Sequence, residues 1–111
     1  MRTSSMGRCR NCSPVPEEVR RAAELLERRW LLSILYAALE GAMRLNEFRA
    51  AVAEVPPTTL AQRLRELERA GIVERRVVGA SPPFAEYRLT RSGRDLGPMV
   101  RALERWTAQR A

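Results

Sequence analysis

The first part of the chain repeats its apolar residues with a helical period of about 3.6. From Glu17 onward these residues fall on one face of a first helix, and a second helix follows and stops at Gly41. The apolar faces consist of Val19, Ala22, Ala23, Leu26 and Trp30 in the first helix and Leu31, Ile34, Leu35 and Ala38 in the second. Whether a break near Arg28 and Arg29 separates the two helices stays open in the sequence.

A third and a fourth helix follow, and a proline corner divides them. Asn46 is predicted to cap the third helix, with Leu45 before it as a hydrophobic staple. The predicted inner face of that helix consists of Phe48, Ala51 and Val52. Pro56 and Pro57 cannot continue a helix but suit the first turn of a new one, so they predict a helix-turn-helix corner. The fourth helix then extends from about Pro57 to Ala70, and its core positions are Leu60, Leu64 and Leu67.

Beyond Gly71 the period of the pattern changes from about 3.6 to 2. Residues 72–78 and 84–89 predict two strands joined by a turn that contains Gly79, Pro82 and Pro83. Thr90 is predicted to cap a last helix, whose first part is disturbed by a glycine and a proline. The apolar face of this helix is Leu96, Met99, Val100, Leu103 and Trp106. The pattern predicts a mainly α fold with a small β-hairpin, a winged helix-turn-helix over residues 16–111, preceded by a flexible basic arm in residues 1–15.

The charge of the chain points to a polyanionic partner. Its 111 residues suit one domain and include 20 basic residues, all arginine, against 13 acidic ones, for a net charge of +7. This excess favours nucleic acid over a membrane surface. Arginine suits bidentate contacts to phosphate and guanine, although a GC-rich genome is the favoured explanation for its exclusive use. We therefore expect double-stranded DNA as the partner and no membrane.

Several residue types that enzymes and metal sites need are missing. The chain has no histidine, which excludes histidine-based acid–base catalysis and histidine metal sites. A structural zinc needs about four ligands, whereas one chain offers the thiols of Cys9 and Cys12 alone. There is also no glycine-rich phosphate loop, no spanning apolar run and no apolar segment of a signal peptide. We expect no enzyme, no metal, no cofactor and a cytoplasmic protein.

Five stretches of the chain resemble the HxlR family of winged-helix regulators, and together they cover nearly everything between the two tryptophans. They are residues 30–35, 40–48, 60–67, 71–73 and 82–90. The specific part is the pair Pro82 and Pro83 before Glu-Tyr-x-Leu-Thr, in order with the block that starts at Trp30. The resemblance implies dimeric DNA-binding regulators whose N-terminal and C-terminal helices form the dimer interface. Where the family has glycines before the tryptophan, this chain has Glu27, Arg28 and Arg29.

The fourth helix carries the candidate DNA-reading side chains. With its leucines directed inward, Thr58, Gln62 and Arg65 point nearly opposite, and Thr59 and Arg63 lie on the flanks. In a major groove, glutamine reads adenine and arginine reads guanine or holds phosphate, while threonine reaches a thymine methyl or a phosphate. A solvated helix face is the alternative, but the proline corner and the following hairpin favour the groove.

Further arginines on and near the hairpin are candidates for contact with the DNA backbone. Arg75 and Arg76 have opposite side-chain directions, so at most one of them points at DNA from the strand. Arg88 and Arg91 lie at the end of the return strand, where phosphate contact and simple solvation are equally open. Arg44 resembles the arginine of the HxlR family before the third helix, which implies a backbone contact.

The first and last helices are more apolar than packing on so small a core requires. The predicted dimer interface consists of Leu26, Val100, Leu103 and Trp106. For Trp30 internal packing is favoured, whereas for Trp106 burial against a second subunit is favoured. Two such subunits would place their recognition helices in successive major grooves, on an inverted-repeat operator with half-site centres about 10 bp or a multiple apart.

Two functional questions stay open in the sequence. An arginine neighbour favours the reactive thiolate, and HxlR-like proteins often carry a cysteine in the region of Cys9 and Cys12, through which some sense oxidants or electrophiles. An inert pair is nevertheless favoured over a thiol sensor here.

The prediction for the whole chain is a sequence-specific, DNA-binding transcriptional regulator that acts as a homodimer. The alternative is a winged-helix module that binds other proteins without specific DNA binding.

Overall fold

The computed structural model describes residues 12–110, which form six helices and one antiparallel hairpin. The elements are α1 (Glu17–Leu26), α2 (Leu31–Leu39), α3 (Leu45–Ala51), α4 (Pro57–Arg69), β1 (Val73–Val78), β2 (Phe84–Leu89), α5 (Arg91–Arg94) and α6 (Gly97–Ala108). This order is that of a winged helix-turn-helix, with α3 and α4 as the helix-turn-helix and the hairpin as the wing. The predicted fold class is confirmed.

The core is built around α2, the most apolar helix of the chain. Its side chains at Leu31, Ile34 and Leu35 are fully buried, as the sequence pattern predicts. Phe48 of α3 packs among them, together with the equally buried leucines of α4 at 60, 64 and 67. Burying each of these side chains contributes roughly 1.5–3 kcal/mol, so this cluster fixes the orientation of α4. Ala51, which was predicted on the inner face of α3, is instead exposed because α3 ends there.

The structure settles one helix boundary that the sequence left open and corrects another. Trp30 adopts the left-handed conformation, with φ 76°, so α1 and α2 are separate helices. The helix α3 begins at Leu45 with Arg44 as its N-cap, so the prediction that Asn46 caps it is wrong. The reason is Glu47, whose Oε1 accepts the N–H groups of Met43 at 2.8 Å and Arg44 at 3.0 Å. These two hydrogen bonds hold the pKa of the Glu47 carboxyl below its ordinary value.

Strand β2 ties the wing to the helical body. The backbone N–H of Tyr87 donates to the carbonyl of Met43 at 2.8 Å, which joins β2 to the connection between α2 and α3. Thr90 caps α5 as predicted, since its hydroxyl accepts the N–H of Gly93 at 3.0 Å. The last predicted helix is divided into α5 and α6 at Gly97, where the sequence indicated a disturbance.

Candidate nucleic-acid interface

The outer face of α4 presents the predicted reading residues to solvent. Thr58, Gln62 and Arg65 are exposed, and Thr59 is half-buried. Pro57 occupies the first turn of α4, so the helix begins abruptly after the corner that the two prolines make. Within residues 12–110, neither Gln62 nor Arg65 has a side-chain hydrogen bond or an ion pair. Their donors and acceptors are therefore available to a partner outside the chain.

Arg63 occupies a different place from the predicted one. Its side chain is buried, with its Nε–H donating to the carbonyl of Arg29 at 2.8 Å and its Nη1 3.3 Å from Oε2 of Glu66. Glu66 is also paired with Arg28, at 2.9 Å. We call these four residues, 28, 29, 63 and 66, the arginine clasp. It binds α4 to the connection between α1 and α2, so the prediction that Arg63 lies on the DNA-facing flank is wrong.

The spacing along α4 contains the information that places Arg63 inside. It follows Leu60 by three residues and precedes Leu67 by four, so it lies on the edge of the buried stripe. Because an arginine side chain is charged, Arg63 was predicted on the exposed flank of α4 instead. Its partner is a backbone carbonyl in a connection whose conformation the sequence left open, and this is why sequence reasoning missed the clasp.

The two arginines of β1 lie on opposite faces of the hairpin, as the strand alternation requires. In the register, Arg75 is opposite Tyr87 and Arg76 is opposite Glu86. Arg76 is paired with Glu74, at 3.5 Å. Arg75 is exposed and, in the part of the chain that the structure describes, has no ion-pair partner. Arg75 is thus the better placed of the two for contact with a phosphate.

Glu86 is a buried carboxylate that sequence reasoning did not single out. It is 7% exposed and is paired with Arg88 at 2.7 Å and with Arg44 at 3.9 Å. Arg44 also stacks on the ring of Phe84, with 4.0 Å between the guanidinium carbon and the ring centroid. A buried carboxylate requires such partners, and it positions two predicted backbone-contacting arginines at the base of the wing. The one signal in the sequence that could have identified Glu86 is its position in the Glu-Tyr-x-Leu-Thr stretch, which carries the family resemblance.

The remaining candidate arginine, Arg91, is an exposed residue at the start of α5.

Of the two cysteines, Cys9 lies outside the described residues, and Cys12 is exposed at the beginning of the described part of the chain. The geometry therefore does not test whether the pair is inert or redox-active. Among residues 12–110, no helix is both long enough and apolar enough to cross a membrane.

The predicted dimer residues divide into two groups. Leu103 and Trp106 of α6 are exposed, by 44% and 55% of their surface. Leu26 is half-buried and packs against the core, as does Trp30. Val100 is 4% exposed, because it faces the core from α6, so its assignment to an interface is wrong. The helix α1 buries none of its residues, and its Val19 is 54% exposed.

Comparison with known proteins identifies the family of this fold. A model of the HxlR-like helix-turn-helix family matches residues 25–111. The HTH-type transcriptional regulator YvaP of Bacillus subtilis is 32% identical over 99 residues, which are 89% of this chain and 92% of YvaP. Other curated relatives are longer, and the chain spans between 56% and 65% of three of them.

Solved structures give the same result. The redox regulator HypR in its reduced form has a TM-score of 0.76 at 34% identity, covering 84% of this chain and 92% of that one. The reduced transcriptional regulator YodB of B. subtilis has a TM-score of 0.74 at 30% identity, covering 86% and 93%. HypR has also been solved in an oxidised form and YodB in diamide-treated and quinone-bound forms. The chain therefore belongs to the HxlR-like helix-turn-helix family of winged-helix transcriptional regulators.

Proposed function

We propose that this chain regulates transcription by binding double-stranded DNA sequence-specifically, as a homodimer with one α4 helix in each of two major grooves. The observation that carries the proposal is the outer face of α4. There Thr58, Gln62 and Arg65 stand exposed, opposite leucines that are fully buried. A helix held this firmly, with unpaired polar groups near its N-terminal end, matches the way recognition helices enter a groove.

Each residue of this face has a role that its chemistry allows. Gln62 would hydrogen-bond an adenine edge, and Arg65 would read a guanine or hold a phosphate. Thr58 and Thr59, in the first turn, would reach a phosphate or a thymine methyl. Arg63 is excluded from this set because the arginine clasp occupies its guanidinium.

The wing and the start of α3 would add contacts to the DNA backbone. Arg75 has an exposed guanidinium for this purpose. Arg76 and Arg44 are held in ion pairs at the surface, with about half of each side chain exposed. The pair of Arg76 with Glu74 is exposed on both sides and contributes little free energy, so Arg76 could exchange its glutamate for a phosphate at small cost. Arg44 would keep the buried Glu86 as its partner and would contact a phosphate with its remaining N–H groups. These contacts would set affinity and orientation rather than sequence preference.

Replacing either reading residue is expected to weaken specific binding. Gln62→Ala and Arg65→Ala should each cost roughly 1–3 kcal/mol on the cognate site, which is about 5- to 150-fold in Kd. The measurement is a gel shift on the promoter upstream of the chain's own gene, at fixed salt and with nonspecific competitor DNA. Both residues are exposed, so the folded state should be unaffected.

The matched control is Arg69→Ala, which removes an exposed arginine from the last turn of the same helix. We expect it to lower binding to all sequences slightly and to leave the preference for the promoter unchanged. If both reading variants bind the promoter as tightly as the natural chain, the assignment of α4 is wrong. If the natural chain binds no DNA, the interaction-module alternative replaces this proposal.

The homodimer rests on apolar surface that one chain leaves uncovered. On α6, Trp106 and Leu103 line an apolar cleft together with Met99 and Ala102. On α1, Val19 is exposed, and the whole helix lacks a buried residue although one of its faces is apolar. Contiguous apolar surface on a small protein indicates an association site. Pairing these helices between two copies would also place two α4 helices on one duplex.

Trp106→Ala is expected to weaken the dimer. A tryptophan at the centre of an interface typically contributes about 2 kcal/mol or more, equivalent to about a 30-fold rise in the dimer Kd. The measurement is sedimentation equilibrium over a range of concentrations. Val77→Ala is the control, since Val77 is 60% exposed on the wing, away from α1 and α6. An unchanged dimer Kd in Trp106→Ala would remove this ring from the interface.

A second candidate property is a response of DNA binding to thiol oxidation. Its support is that two proteins similar to this chain have been solved in more than one redox form: YodB reduced and diamide-treated, and HypR reduced and oxidised. If Cys9 and Cys12 sense oxidants, diamide should change promoter affinity in the natural chain and leave the Cys9→Ser, Cys12→Ser double variant unaffected. A doubled mass on non-reducing gels would assign the disulfide to two subunits. Equal affinity of the reduced and oxidised natural chain would make the pair inert.

A further inference from the structure

Within residues 12–110, the helix α1 packs against the core from one end. None of its residues is fully buried, and its apolar contact with the core comes from Leu25 and Leu26 in its last turn. A helix of 10 residues is about 15 Å long. A rotation of roughly 10° at the attached end therefore moves the far end of α1 by about 2–3 Å. The direction of α1 thus depends on what holds the connection that follows it, residues 27–30.

This connection is held to α4 at two points, and both belong to the arginine clasp. The first is the carbonyl of Arg29, which accepts the Nε–H of the buried Arg63 at 2.8 Å. The second is the side chain of Arg28, whose Nη2 lies 2.9 Å from Oε2 of Glu66. A single attachment allows the connection to rotate about it, whereas two separate attachments fix its direction. Arg28 supplies the second of them.

The pair of Arg28 and Glu66 adds little to the stability of the fold. The side chain of Arg28 is 44% exposed, and water screens such a pair. Glu66 keeps Arg63 as a partner, at 3.3 Å, when Arg28 is removed. Arg28 also lies in the stretch where this chain departs from the glycines of the HxlR pattern, so relatives that keep a glycine there lack this contact. Its effect is therefore expected on geometry rather than on stability.

The other side of the clasp lies on the same two turns of α4 as the reading residues. Arg63 follows Gln62, and Glu66 follows Arg65. Gln62 and Arg65 are exposed on the outer face, whereas Arg63 and Glu66 contact the connection between α1 and α2. The fully buried leucines of α4 hold these turns in place. The clasp therefore relates the direction of α1 directly to the direction of the reading side chains.

We propose that Arg28 is a positioning residue that fixes the angle between α1 and α4, and through this angle the spacing of the half-sites that the dimer accepts. The inference rests on the proposed function, in which α1 belongs to the dimer interface and α4 reads a half-site. An angle fixed inside each subunit fixes the separation of the two α4 helices on one duplex. Arg28 acts through Glu66 and does not itself contact DNA.

The first test compares the promoter duplex with a duplex that carries one extra base pair between the two half-sites, which footprinting with the natural chain locates. The insertion moves one half-site by about 3.4 Å and rotates it by roughly 35°. The natural chain should bind the longer duplex roughly 100-fold more weakly, because the DNA or the dimer must deform. Arg28→Ala should lower this ratio to about 10-fold or less, since its α1 can rotate. Fluorescence anisotropy at one salt concentration gives both affinities.

Arg29→Ala is the matched control, since it removes the same charge from the same connection. The side chain of Arg29 lies over the ring of Trp30, and its contact with α4 is made by the backbone carbonyl, which alanine keeps. This variant should keep the ratio of the natural chain. Arg28→Lys retains a charge beside Glu66 and should recover part of the ratio. All three variants should melt within about 5 °C of the natural chain, so unfolding cannot explain a lost spacing preference.

The second test measures the angle without DNA. Spin labels on Glu17→Cys in α1 and Glu68→Cys in α4, both exposed positions, report the distance between the two helices by double electron–electron resonance. Cys9 and Cys12 are replaced by serine, and the labelled chain is diluted into unlabelled chain so that distances within one subunit dominate. Arg28→Ala should shift or broaden the distance distribution by roughly 2–3 Å, and Arg29→Ala should leave it unchanged.

A lower spacing ratio together with a changed distance distribution in Arg28→Ala supports the proposal. An unchanged distance distribution would overturn it, and so would promoter binding with the spacing ratio of the natural chain. Failure of the proposed function has a different result, because the natural chain itself would then bind the promoter no better than other DNA.

Discussion

Gly93→Ala is expected to lower the free energy of unfolding by about 3 kcal/mol, the upper part of the range for overpacking. A Cβ at this position would lie 2.2 Å from the carbonyl oxygen of Ile72 and 2.9 Å from Cδ2 of Leu89. The leucine side chain can move, but the carbonyl belongs to the backbone that leads into β1 and accepts the N–H of Thr90. Relieving the overlap would therefore separate α5 from the wing. Thermal or urea unfolding followed by circular dichroism measures the loss.

The matched control for Gly93→Ala is Gly97→Ala, which adds the same methyl group to another helical glycine of the same part of the chain. There the nearest atom is Cδ2 of Leu39 at 3.7 Å, an ordinary van der Waals contact. We expect this variant to be as stable as the natural chain, or more stable, because alanine favours a helix over glycine. Equal losses in both variants would contradict the packing of α5 against the base of the wing.

Arg63→Ala is expected to destabilise the fold by about 2–3 kcal/mol, because it leaves the carbonyl of Arg29 without its buried donor and breaks hydrogen bonds of a charged group. The side chain of Arg63 is 10% exposed, so water cannot replace the lost donor fully. For a domain near 100 residues this corresponds to a fall in Tm of roughly 10–20 °C. Differential scanning calorimetry gives both quantities.

Arg65→Ala is the control for Arg63→Ala, since it changes the same residue type two positions further along α4. Arg65 is exposed and has no ion pair within residues 12–110, so its stability effect should stay within about 0.5 kcal/mol. Arg63→Ala should therefore lower the stability of the fold, whereas Arg65→Ala should lower the affinity for the promoter and leave the stability nearly unchanged. Full stability of Arg63→Ala would contradict the clasp.

The helices and strands that the sequence predicted well are those with a strong and regular pattern. The core leucines of α4, the apolar stripe of α2 and both strands occupy the predicted positions, because each has one apolar face and one place to bury it. The left-handed Trp30 and the capping of α3 by Arg44 depend on single backbone angles and on one glutamate side chain. The spacing of apolar residues predicts neither a single backbone angle nor the hydrogen bonds of one capping side chain.

The candidate site shows where charge misleads sequence reasoning. Arg63 and Arg65 are two residues apart and chemically identical, yet one is inside and the other outside. The difference arises from the carbonyl of Arg29 and the carboxylate of Glu66, which only the folded chain brings to Arg63. In the same way Val100 and Trp106 share an apolar stripe, but only Val100 lies over the core of its own chain.

Dimeric, sequence-specific DNA binding is the central claim, and one titration tests it most directly. A duplex from the promoter upstream of the gene is compared with a duplex of the same length and composition in scrambled order, at one salt concentration. Fluorescence anisotropy gives the affinity, and sedimentation gives the stoichiometry. The account predicts two chains per promoter duplex and a promoter affinity at least about 1,000-fold above that for the scrambled duplex. Equal affinity for the two duplexes, or one chain per promoter duplex, would contradict it.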